Sequence, residues 1–287
     1  GNGGRYMREL IEELFARHLG NPSLDVTLDA VALPLAARPG ELMITTDGFT
    51  VQPLEFPGGD IGALAVHGTV NDLAVAGAVP KYLTLNAFIE EGLEIAVLER
   101  VIASMARAAA EAGVFVAAGD TKVLRRGEGG GLYLATTGVG LRNPDIQLGF
   151  ANIRAGDAIV VSGPVGDPGL ALMLAREQFG LRGDVRSDAA TVVELANVAL
   201  QNPGLRFMRD PTRGGIATVA HEIARVAAVQ VNLEQTAIPV RDAVVSVCEM
   251  LGYDPYYLAC EGRVLAVVAA QQASSLLASW RGLAEGE

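Results

Sequence analysis

FPGGDIGALAVHGTVNDLAVAGAVPKYL, residues 56–83, is the stretch on which the reading of the fold turns. It opens in a Gly/Pro-rich loop and passes without a breaker into Ile61 to Ala78, a run dominated by Ala and Val. Apolar residues fall on every side of that run, so it reads as a helix buried all round. Asn71 and Asp72 are embedded in it. A carboxylate in a buried helix is costly unless something pairs with it, so Asp72 marks a candidate site.

Upstream, ELMITT (41–46) reads as a short buried strand ending at Asp47, followed by the loop VQPLEFPGGD (51–60). Met7 to Leu19 has apolar residues at helical spacing, with GNGG (1–4) before it and Gly20 as a C-cap. Downstream, Leu93 to Ala112 reads as a helix and VFVAA (114–118) as a strand, with Asp120 just past it. RRGEGGG (125–131) reads as a mobile loop, GLYLATTGVG (131–140) as a strand, and 142–156 as a crossover. DAIVVS (157–162) then opens a second unit, turning through GPVGDPG into the helix LALMLAREQF (170–179). Helices are expected at 189–200, 215–228, 240–251 and 271–280, and strands at VQVNLE (229–234) and RVLAVVA (263–269). Strands and helices mix without strict βαβ alternation. The expectation is therefore an α+β chain of two sheet-and-helix domains, 1–155 and 156–287.

The 287 residues are 50% apolar and 19% charged, the balance of a well-packed globule. A net charge of -11 argues against a nonspecific nucleic-acid or anionic-membrane surface. Cys248 and Cys260 have no paired spacing, so neither a disulfide framework nor a thiolate metal site is indicated. That cysteine usage fits a reducing cytoplasm best, and no apolar run reaches the roughly 18 residues of a membrane span. The start at Gly1, inside a glycine cluster, reads as trimmed.

Three acids sit where charge is costly unless used: Asp47 after ELMITT, Asp72 in the Ala-rich helix, and Asp120 after VFVAAG. Magnesium shared between these carboxylates and nucleotide phosphates would satisfy all three. Each alone also reads as an ordinary cap or turn residue. GNGG (1–4), FPGGD (56–60) and TRGG (212–215) would let backbone amides approach phosphate, or are simply turns. Neither G-x-x-x-x-G-K-[ST] nor G-x-G-x-x-G after a strand occurs, so neither common nucleotide fold is indicated. His18, His67 and His221 are scattered and have no second metal ligand at suitable spacing. Lys122 reads either as a phosphate-facing cation or as an exposed strand-end lysine, and Glu261 as a general base or a turn acid.

TTDGF, FPGGDIGALAVHGTVNDLAVAGAVPKYL, FIEEGL, GDTKV, SGPVGD, DPTRGG and DPYYLACEG occur in this order across the whole chain. Together they resemble the HypE family of hydrogenase maturation factors, within the aminoimidazole-ribonucleotide-synthetase-like superfamily. The resemblance implies a homodimer pairing through its N-terminal halves, with ATP and magnesium in the cleft between the two halves of each subunit. It makes Asp47, Asp72 and Asp120 magnesium and phosphate ligands, with Asn71 and Thr121 beside them and Gly1, Asn2, Gly3 and Gly4 as a flexible phosphate cover. Asp210 and Arg213 of DPTRGG become site-lining residues, and Lys122 and Glu261 orient the substrate and handle its proton. The implied reaction is ATP-dependent dehydration of a carbamoylated C-terminal cysteine to a thiocyanate, the cyanide source for nickel-iron hydrogenase. Its implied partners are the carbamoyltransferase HypF and a HypC–HypD complex. Phosphoryl transfer to a small molecule, as in selenophosphate synthetase or thiamine-monophosphate kinase, is the alternative.

Three departures from the family pattern stand out. Pro168 occupies the usual place of His, Cys260 that of Asn before Glu261, and no Pro-Arg-Ile-Cys tail follows Trp280. A trimmed end or a different substrate would account for the missing tail, and a buried small residue is the expectation for Cys260.

Overall fold

The computed structural model describes residues 27, 31–33, 40–177 and 186–283. Its organising element is α1 (Ile61–Val75), twelve of whose fifteen residues are buried. Asp60 starts it from extended backbone, accepting the Gly62 and Ala63 N–H groups at 2.7 and 3.0 Å, so the orphan donors of the first turn are satisfied. A helix covered on every side must be mostly apolar and give its polar side chains partners, as α1 does for Asn71 and Asp72.

On one side of α1 lies a five-stranded mixed sheet. Its strands are β1 (Val31–Leu33), β2 (Glu41–Phe49), β5 (Ala78–Glu90), β6 (Phe115–Leu124) and β7 (Leu132–Arg142), in the order β1-β2-β7-β5-β6. β7 alternates buried and half-buried residues along its length, the signature of a strand with one face on the core. α2 (Ile95–Glu111) packs beside α1, and Val66, Val70, Leu83, Val101, Met105 and Leu134 form the shared core. Between β2 and α1 runs the small hairpin β3 (Glu55–Phe56) and β4 (Gly59–Asp60).

The second sheet contains β8 (Ala158–Val161), β9 (Leu205–Arg209) and β10 (Leu265–Val268), with β10 central and antiparallel to both neighbours. All four β10 residues are buried because both faces are covered. Val160, Met208, Ala266 and Val268 meet α4 (Val193–Leu200) and α7 (Ala270–Trp280), where the Trp280 indole N–H donates to the Leu195 carbonyl at 2.9 Å. Phe207, Leu265 and Val267 face α5 (Gly215–Val226) instead. Ala74 and Val75 of α1 belong to the α4–α7 core, so α1 serves both sheets. α3 (Asp167–Glu177) and α6 (Asp242–Leu251) complete the second unit.

The α+β expectation holds, with local corrections. β2 continues past Asp47 to Phe49, still paired with β7, rather than ending at Asp47. β6 likewise runs through Asp120. β5 and β9 were not anticipated, and α4 begins at Val193, not 189. VQVNLE forms no strand: Val229 and Val231 pack on the core without a ladder. The loop 125–131 is held by Glu90, whose carboxylate accepts the Gly127 and Gly131 N–H groups at 2.6 and 2.9 Å. The helix expected over 7–19 lies outside the described residues. No described helix is long and apolar enough to cross a membrane.

Candidate active site

β2 and α1 meet side by side at the first half of the site. Thr45 and Asp47, two residues apart, share a face of β2, while Gly68 and Asp72, four apart, share a face of α1. The Thr45 hydroxyl donates to Asp72 Oδ2 at 2.8 Å, and a Cβ on Gly68 would stand 3.8 Å from Asp47 Oδ2. Two successive same-face positions of a strand thus lie against two successive turns of a helix, which puts Asp47 and Asp72 on one seam, a step apart along it. Burial pushes the Asp47 carboxyl above its ordinary range, opposed by the Gly48 N–H at 2.8 Å and the positive charge of Arg213.

The second half comes from the other unit. Asp210, at the end of β9, is buried, and Arg213 brings its guanidinium to 3.8 Å from Asp47 Oδ1. The Cys260 N–H donates to the Pro211 carbonyl at 3.1 Å, which lays the 210–215 turn against Glu261. Glu261 is only partly exposed, and its carboxyl is pushed up to about 8. Burial is the main cause; the carboxylates of Asp210, Asp188 and Asp47 add to it, and Arg213 opposes them. Asp47, Asp210, Arg213 and Glu261 therefore sense one another across the cleft, with negative charge in excess.

Several expected site residues stand elsewhere. Asn71 is fully buried, and both its amide hydrogens are engaged, by the Ala190 carbonyl at 3.0 Å and the Glu261 carbonyl at 2.8 Å. Its own carbonyl accepts the Val192 N–H at 2.8 Å, so the expected nucleotide contact is corrected to an internal tie. Asp120, Thr121 and Lys122 lie on β6, the exposed edge of the sheet. Asp120 pairs with Asn86, whose register leads through Ala135 to Gly48, next to Asp47. That is three strand spacings, about 14 Å, so Asp120 does not share one ion with Asp47 in this subunit. Lys122 sits 2.9 Å from Asp120, and this contact, with the Thr121 N–H, holds the Asp120 carboxyl below its ordinary range. Gly1, Asn2, Gly3 and Gly4 lie outside the described residues.

Other features are explained by packing. Gly214 and Gly215 have φ of 72° and 60°, and a Cβ on Gly215 would stand 2.3 Å from the Tyr256 carbonyl, so TRGG is glycine-rich for conformation and close approach. Pro168 falls in the first turn of α3, where its missing N–H costs nothing. Cys260 is fully buried, accepts the Gly166 N–H at 3.3 Å, and its thiol pKa is pushed up by burial, the opposite of an activated nucleophile. Sequence reasoning did not single out Asp188, which lies beside Glu261; Ser-Asp ahead of a helix reads as a cap, and only the fold shows otherwise. Among the described residues no three His, Cys, Asp or Glu side chains form a group that could hold a metal ion. A cation here needs oxygens from a bound molecule or water.

Residues 29–142 match the N-terminal domain of AIR synthase related proteins, and 154–285 match their C-terminal domain. The carbamoyl dehydratase HypE of Azotobacter vinelandii is 46% identical over 287 residues, covering 100% of this chain and 84% of that protein. Among solved structures, a HypE–HypF complex superposes with a TM-score of 0.91 at 40% identity, covering 96% of this chain and 90% of that one. A HypE bound to ATP superposes with a TM-score of 0.81 at 44% identity, covering 98% and 83%. With a fold of two such units and a likeness that spans its whole length, the chain belongs to the carbamoyl dehydratase HypE family of hydrogenase maturation proteins.

Proposed function

We propose that this chain dehydrates an S-carbamoyl cysteine at a protein C-terminus to a thiocyanate, consuming ATP, as a step in nickel-iron hydrogenase maturation. The observation that carries the reading is the cleft in which Asp47, Asp210 and Glu261 gather around Arg213, with Asp72 one helix turn from Gly68, the residue that faces Asp47. An amide oxygen is a poor leaving group, and taking the γ-phosphoryl group of ATP makes it a good one. The carbon–oxygen bond then breaks as phosphate departs, and the nitrogen loses both protons. The thiocarboxamide and ATP thus yield thiocyanate, ADP, phosphate and a proton.

Glu261 is suited to the proton step, because a carboxyl pushed up to about 8 holds both forms accessible near neutral pH. Asp47 and Asp72 fit a magnesium ion that completes its oxygen shell with phosphates and water. When bound, such an ion neutralises phosphate charge during transfer. Arg213, exposed at the cleft, is placed to meet a phosphate.

The edge of β6 supports pairing with a second copy, since Phe115, Val116 and Val123 are exposed along it and Tyr82 stands open on neighbouring β5. Asp120, Thr121 and Lys122 would then act at the boundary between two copies. The relative solved with HypF supports HypF as a partner, and the family likeness extends this to HypC–HypD, in the cytoplasm. The test supplies the protein with a peptide ending in S-carbamoyl cysteine, and ATP. Mass spectrometry is expected to show loss of one water from the peptide; ATP turnover with that water retained sinks the proposal.

A further inference from the structure

Glu261 is the residue the proposed reaction asks most of, and its backbone is held on both sides. On the amino side, Asp188 Oδ1 accepts the N–H groups of Glu261 and Gly262, each at 3.2 Å. On the carbonyl side, Asn71 of α1 donates to the Glu261 carbonyl. The same Asn71 amide grips Ala190 and Val192, in the segment that carries Asp188. Asp188 Oδ2 lies 3.1 Å from Arg263 Nε, both side chains being 7% exposed, and Arg263 in turn donates to the Pro164 carbonyl at 3.1 Å.

Residues 187–192 are thereby fitted between the two units. The Ser187 N–H donates to the Pro57 carbonyl at 2.8 Å, beside the β3–β4 hairpin. A Cβ on Gly58 would stand 2.6 Å from the Ser187 backbone, and one on Gly262 would stand 2.0 Å from the Asp188 carbonyl. Backbone this close on both sides leaves the segment one way to lie.

We propose that residues 187–192 are a latch in which Asp188, with Asn71, is a positioning residue that fixes the direction of the Glu261 side chain. The inference rests on the proposed proton role of Glu261 and adds a residue to it. With the Glu261 peptide tied at both ends, its Cα–Cβ bond points into the cleft without reorganisation when substrate arrives. Because Asn71 precedes Asp72 on α1, the latch also sets the spacing between Glu261 and the acid pair of the first unit. Asp188 adds negative charge near Glu261, in keeping with the raised carboxyl there.

A double-mutant cycle on the full chain, read in single turnovers, tests this. Asp188→Asn puts an amide beside Arg263 and loosens the grip on Glu261, and an error of about 1 Å at a reacting group costs roughly 100-fold. The expected result is a turnover loss of that order, with the dissociation constant for magnesium-ATP changed less than about threefold, and no further loss when Glu261→Gln is already present. A separate structural role would lower turnover in both backgrounds, and that outcome overturns the latch. So does full activity of Asp188→Asn while Glu261→Gln is inactive. An active Glu261→Gln instead removes the reading of Glu261 as the proton carrier, and the latch with it. If Asp188→Asn does not fold, Asp188→Ser, a smaller side chain that keeps an acceptor, carries the same cycle.

Discussion

Asp47 and Asp120 lie on one sheet, one step apart in register, yet their carboxyls are driven in opposite directions. Asp47, on interior strand β2 under α1, is pushed up by burial. Asp120, on edge strand β6, is held down by Lys122 and its neighbour's N–H. The sheet gives both the same backbone, and what differs is what covers it. A covered acid is dear to ionise and waits for a cation, whereas an uncovered one finds its own lysine and is at rest.

The largest expected effect sharpens the covered side. Glu261→Gln removes the proton carrier and is expected to lower ATP-dependent dehydration about 10²–10⁴-fold, measured by thiocyanate formation. Near-normal turnover would break the assignment. Next comes a direct contrast between the two aspartates. Asp47→Asn is expected to weaken magnesium-ATP about tenfold or more in titration calorimetry and leave the oligomeric state alone, because its carboxylate is a proposed ligand. Asp120→Asn within a single subunit should change that affinity much less. Equal losses from a protein that stays monomeric would overturn the contrast.

A third effect is on stability against pH. The Glu261 carboxyl goes from an ordinary 4.5 in the unfolded chain to about 8 when folded, so the folded state holds the extra proton between those values. Its contribution is complete below about 4.5 and is lost as pH rises through about 8. Glu261→Gln should therefore raise the melting temperature more at pH 9 than at pH 6, as seen by scanning fluorimetry, and the reverse order contradicts the burial argument. The smallest effect belongs to the open side. Breaking the exposed Asp120–Lys122 pair with Lys122→Met should leave the melting temperature within error in moderate salt.

What could be read from the residues follows the same division. α1 was legible because a helix buried all round carries apolar residues on every side, and β10 because a strand covered on both faces is a continuous apolar run. β5 was not: Pro80 and Lys81 interrupt its pattern, its register shifts between Pro80 and Tyr82, and only Ala76 and Gly77 separate it from α1. VQVNLE alternates cleanly and still makes no ladder, because alternation reports which side chains are covered and says nothing of a neighbouring strand. In the site, the acids of β2, α1, β9 and Glu261 could be named from motifs, but their meeting depends on two units closing on one another. Asn71 shows the limit from the other side, since the motif that made it a nucleotide contact could not reveal that its amide is already spent.

α1 carries one further consequence. Its flanks serve Val66 and Val70 in one core and Ala74 and Val75 in another, so no cut between the two sheets leaves both halves with a finished interior. A gene divided in the crossover after Arg142 would deliver a C-terminal piece whose Trp280 neighbourhood lacks its cap and an N-terminal piece with a bare greasy helix end. Such fragments are expected to be recovered as soluble protein only when made together, which ties the inheritance of the two halves to a single reading frame.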